Sequence, residues 1–129
     1  MAMNRTDLAY VSHEGHLVGT VTAAGPLYLL SADLKDVMPG SVIQVSVSAS
    51  AKGQFYYGPV ELNGMAENLC SSWHVFTGND QWIPLEASTL FVVPRGQSSR
   101  NLSFQLRLEK SDLSGHYDVY NLTVIARII

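Results

Sequence analysis

Four histidines and a single cysteine are the residues of this 129-residue chain with the most telling chemistry, if the fold gathers them. His13-Glu14-Gly15-His16 sets two imidazoles three positions apart with a carboxylate between, and these are zinc-ligand types. The spacing does not place both rings on one helix face, because Gly15 interrupts it and no helical period surrounds it. The segment therefore reads as a polar loop, and no metal is expected. His74 and His116 stand alone in the sequence and read as surface or edge-strand residues. No Gly-x-Ser-x-Gly elbow is present, and Cys70 has no local signature, so it reads as a small buried hydrophobe. Asp33 and Asp36 flank Lys35 as a solvated turn would. No glycine-rich run opens a helix to cradle phosphate. The expectation is a chain with no catalytic residues and no cofactor, not an enzyme.

The aromatic residues say more. Ser72-Trp73-His74-Val75-Phe76-Thr77-Gly78-Asn79-Asp80-Gln81-Trp82 reads as a strand, a tight turn at Gly78-Asn79-Asp80 and a second strand. The plainer reading makes Trp73 and Trp82 core or cross-strand aromatics that supply buried area. The alternative leaves both rings exposed to stack on sugar, with Asn79 and Asp80 as hydrogen-bonding partners. Tyr56-Tyr57 is a second aromatic spot, where adjacent side chains face opposite sides and at most one is buried.

The elements that must carry these residues are strands. Leu102, Phe104, Leu106 and Leu108 point one way, with Ser103, Gln105 and Arg107 the other, as in a half-buried antiparallel strand. Ile43, Val45 and Val47 repeat the pattern. In the last segment Tyr120, Leu122, Val124, Ala126 and Ile128 share one predicted face. Shorter strands are expected at Leu17–Thr22, Leu27–Ala32, Gln54–Val60, Trp73–Thr77, Gln81–Leu85 and Leu90–Val93. Turn residues separate them: Gly25-Pro26, Pro39-Gly40, Lys52-Gly53, Asn63-Gly64, Gly78-Asn79-Asp80, Pro94-Arg95-Gly96 and Ser114-Gly115. Asp33–Met38 could form one helical turn. Strands recurring with such punctuation indicate an all-β antiparallel sandwich of about seven to nine strands.

Length bounds the chain to one domain over residues 1–129, with the first seven frayed or not native. The charged share is only 15% and the net charge is −3. No basic cluster exists to track a phosphate backbone, so nucleic acid is excluded as a partner. No apolar run reaches the length of a transmembrane helix. One cysteine allows no intrachain disulfide. Sequons at Asn4, Asn101 and Asn121 matter only in a eukaryotic secretory setting.

Four features carry a resemblance. Pro39-Gly40 opens a strongly alternating strand, and Trp73 is followed by Trp82-Ile83-Pro84-Leu85. Val93-Pro94-Arg95-Gly96 leads into Leu102–Leu108, and Leu113-Ser114-Gly115-His116-Tyr117 leads into the terminal strand. In these the chain resembles the Ig-type sandwich domains of bacterial surface proteins, including pilin-like and spore-coat-like subunits. It lacks the disulfide and the donor segment of chaperone–usher pilins. The resemblance implies an exported, non-enzymatic structural or adhesive domain at the cell surface, its signal peptide removed. Such a domain acts on a protein partner or on itself through edge strands. A carbohydrate-binding module using Trp73 and Trp82 is the alternative.

Overall fold

Seven antiparallel strands make up the fold, described in a computed structural model for residues 7–62, 74–95, 100–111 and 115–129. They are β1 (Leu8–Ser12), β2 (His16–Thr20), β3 (Leu27–Val37), β4 (Val42–Glu61), β5 (His74–Val92), β6 (Arg100–Glu109) and β7 (His116–Ile128). No helix occurs among the described residues.

The two longest strands, β4 and β5, pair along most of their length and belong to both layers of the sandwich. In the first layer, β4 from Ile43 to Gly53 lies between β5 and β7. On the far side of β7, β1 and β2 run end to end, against Thr123–Arg127 and His116–Tyr120. In the second layer, Tyr56–Glu61 of β4 pairs with β6, which pairs with β3. The bend between layers falls at Gly53, whose φ is +119°, opposite Asn79 at +53°.

The predicted inward faces meet between the layers. Ile43, Val45, Leu102, Phe104, Leu106 and Leu108 are buried, and Phe91 of the first layer meets Phe104 of the second edge to face at 5.0 Å. Tyr57 is buried and Tyr56 is not, as adjacent strand residues require.

Four local expectations are corrected. Gly78-Asn79-Asp80 is no hairpin loop, and Lys52-Gly53 is no turn; both are irregularities within unbroken strands. Asp33–Met38 is not helical: β3 runs to Val37, with Leu34 paired to Leu102. Tyr120 faces outward, although Leu122 and Val124 are buried. Asn121, at φ +54°, sits at a register shift between β4 and β7 and resets the alternation.

Burial pushes the phenols of Tyr57 and Tyr117 above their ordinary value of 10.0; for Tyr57 the hydrogen bond to the Glu86 backbone opposes this and the Glu86 carboxylate adds to it. A pKa raised on folding means stability that is whole below pH 10 and lost as pH climbs through the folded value. In an alkaline absorbance titration, Tyr57 and Tyr117 should ionise above pH 10, and stability should decline over the same range.

Candidate site: an aromatic platform on the outer sheet face

The outward alternation of the first layer brings together side chains from four neighbouring strands. Trp82 comes from β5, Lys52 from β4, Asp118 and Tyr120 from β7, and His16 from β2. Ala51 opposite Ile83 points inward, so Lys52 and Trp82, one step away on each strand, point out. His16 is the cross-strand partner of Tyr120. Small Ser50 lies between Tyr120 and Pro84 on the intervening strand, which lets the rings lean over it.

The three rings form one cluster. His16 and Tyr120 lie 4.7 Å apart, His16 and Trp82 5.5 Å, and Trp82 and Tyr120 6.1 Å. Lys52 Nζ stands 4.7 Å from the Trp82 ring centroid, a cation–π contact. His16 Nδ1 lies 2.8 Å from Asp118 Oδ1, which fixes the imidazole's orientation. The cluster is open to solvent: Trp82 is 42% exposed and Tyr120 38%. Up the same face, Ser46, Ser48, Glu86 and Ser88, with Val47 and Ala87, line a shallow depression.

The joint between β1 and β2 holds the platform's rim. Gly15 N–H donates to Asn121 Oδ1 at 2.9 Å, and Asn121 N–H donates to the Gly15 carbonyl at 3.0 Å. The His13–His16 segment is thus a strand joint. His13 N–H donates to the Leu122 carbonyl, while His16 turns to Asp118. Of the other histidines, His74 lies 5.3 Å from Tyr57 and His116 pairs opposite Thr20, both in strands. Asn101 and Asn121, the described sequon residues, use their side-chain oxygens on the backbone of Asp36 and Gly15.

Of the residues singled out in the sequence, Trp82 is an exposed platform ring, against the plainer reading that buried it. Asn79 accepts a hydrogen bond from Gln54 Nε2 at the β4 bend, and with Asp80 it lines a shallow depression beside Gln81 and Ile83. Trp73, Cys70 and residues 1–6 lie outside the described residues. Sequence reasoning missed Tyr120, Lys52 and Asp118, and it read His16 as part of a polar loop. The alternation was the available signal for Lys52, but Tyr120 faces out only because of the Asn121 bulge.

In a Trp73→Phe variant, Trp82 alone reports on the platform. Acrylamide should quench its fluorescence readily, and a blue-shifted emission indifferent to quencher would contradict the exposed placement.

No protein-family model and no curated protein matches the sequence. Solved structures are similar to it. One is a chain of the infectious bursal disease virus Gx strain, 9% identical, with a TM-score of 0.53 over 95% of this chain and 34% of that one. The present chain therefore spans about a third of that viral chain's length. Others are the CBM22-1 xylan-binding domain of Paenibacillus barcinonensis Xyn10C (14% identity, TM-score 0.42, covering 94% and 86%) and the family 11 carbohydrate-binding module of Clostridium thermocellum (14%, 0.35, covering 92% and 88%). At 9% identity the likeness to the viral chain is one of fold. The pilin-like and spore-coat-like resemblance gains nothing from them.

Proposed function

We propose that this chain is a non-catalytic binding domain that holds carbohydrate against the outer face of its first layer, with Trp82 and Tyr120 as stacking surfaces. The observation that carries this reading is the exposed three-ring cluster on rigid paired strands, edged by Lys52 and Asp118. Exposed aromatic rings are costly to leave in water and are favoured where an amphipathic partner covers them. A sugar ring has such a partner's surface: C–H groups on one face for the indole, hydroxyls at its rim for the lysine and the carboxylate. Strand-borne side chains keep their spacing, so little ordering is required on binding. No helix among the described residues is long and apolar enough to cross a membrane. An extracellular or cell-surface setting suits a ligand of this class.

The test is isothermal titration against a panel of soluble oligosaccharides and insoluble polysaccharides, comparing the native chain with Trp82→Ala. Removing a central tryptophan anchor should cost about 2 kcal/mol, roughly 30-fold in affinity. Native binding that Trp82→Ala leaves intact would move the site elsewhere, and absence of binding across the panel would end the glycan reading.

A further inference from the structure

Lys52 of β4 and Asp118 of β7 are direct cross-strand partners. Each is next to a buried residue, Ala51 and Val119, so both side chains leave the outer face at the same rung. Opposite charges so placed ordinarily pair. Here they do not. Asp118 Oδ1 is taken by His16 Nδ1 at 2.8 Å, from the strand on its other side. Lys52 leans the opposite way, and its Nζ stands 4.7 Å from the Trp82 ring centroid. Among the described residues the ammonium meets that ring and no carboxylate.

The other charges of this face do not neutralise it. Glu86 lies four residues along β5 from Trp82, about 14 Å at 3.4 Å per residue. Arg127 sits at the far end of β7 and donates to Gln44 Oε1 at 2.9 Å. A ligand that stacks on Trp82 must therefore cover a lysine whose charge has no protein counter-ion beside it. Stripping water from a charge costs free energy unless a counter-charge takes the water's place. A neutral sugar brings hydroxyls only. A uronate brings a carboxylate on the carbon outside its ring, and a charge-assisted hydrogen bond is roughly twice as strong as one between neutral groups.

We infer that the glycan held on this platform is acidic: a uronate-bearing chain whose carboxylate pairs with Lys52. This rests on the glycan reading of the face and adds the class of sugar. The His16–Asp118 contact has a part in it, because it keeps the cross-strand carboxylate from closing on the lysine. One ammonium matches one carboxylate. A densely sulfated chain would need a basic cluster, which this sequence lacks.

Matched pairs test it: oligogalacturonate, oligomannuronate and glucuronoxylan fragments, each against its own methyl ester, which keeps the shape and removes the charge. Titration calorimetry in about 50 mM salt should find at least one acid bound roughly fivefold more tightly than its ester, the worth of a good exposed ion pair. Salt at about 0.5 M should erase most of that difference. In the variants the readout is the ratio of acid to ester affinity, from which a general weakening of the platform cancels. Lys52→Gln should bring the ratio to about one, and Lys52→Arg should keep it. Asp118→Asn removes a neighbouring negative charge yet leaves an oxygen for His16, so it should raise the ratio. Circular dichroism checks that each variant folds. Trp82→Ala tests the underlying reading, since it should weaken acid and ester alike. Acid and ester bound equally, with both weakened by Trp82→Ala, would leave the glycan reading standing and overturn the acidic one. An acid preference that survives Lys52→Gln, or a sulfated chain bound more tightly than any uronate, would also overturn it. So would absence of binding by every pair, which ends the glycan reading too only if the neutral panel fails as well.

Discussion

Gly53→Ala should destabilise the protein by about 3–5 kcal/mol, summing backbone strain and overpacking. Gly53 has φ +119°, and a Cβ built there would stand 2.2 Å from the His116 carbonyl oxygen and 3.1 Å from Tyr117 Cα. Those atoms are backbone, so no side chain can swing away. Relief requires β7 to separate from β4 at Gly53↔Tyr117 and Lys52↔Asp118, rungs beside the platform. Urea unfolding followed by circular dichroism measures the loss. Gly15→Ala is the control: its φ is also positive, at +91°, but nothing lies within 4 Å of the added methyl. It should cost only the left-handed term, about 1–2 kcal/mol. Equal losses at both positions would show that strain, not the clash with β7, limits the bend. If the bend also sets the platform, any Gly53→Ala protein that still folds should show altered Trp82 quenching.

That bend marks where the sequence stops being readable. The segments Leu102–Leu108 and Ile43–Val47 alternate cleanly because each keeps one face on the core throughout. β4 and β5 broke into five short predicted strands because Lys52-Gly53 and Gly78-Asn79-Asp80 are ordinary turn residues. A bulge inside a strand needs the same permissive backbones as a turn, and only the partner strand decides between them. Here each irregularity sits opposite the other, which local sequence does not reveal. The same logic hid Tyr120. Period-two counting carries it inward with Leu122, and a single residue, Asn121 at φ +54°, reverses it. β1 went unrecognised because Leu8–Ser12 has only Ala9 buried, too little for a pattern. The candidate site was half visible. Trp82 was singled out by type, but its ring companions come from strands that are distant in the chain and joined only by register.

Phe104→Ala should cost about 3–5 kcal/mol, the usual range for truncating a buried aromatic ring. Phe104 is fully buried at the centre of β6 and meets Phe91 at 5.0 Å across the sandwich. It is also the cross-strand partner of Ala32 in β3 and of Glu61 in β4. The methyl of Ala32 cannot reach into the space a lost ring leaves. Collapse would instead require the two layers to approach, which the shared strands β4 and β5 oppose. The cavity should therefore persist, and the loss should fall at the upper end of the range. Against a total stability of roughly 5–15 kcal/mol, that is a large share. Scanning calorimetry should find the melting temperature lowered by roughly 15 °C. Phe104→Leu keeps most of the volume and should recover more than half of the loss. If alanine and leucine proved equally harmful, the edge-to-face geometry with Phe91 would outweigh the filled volume in joining the layers.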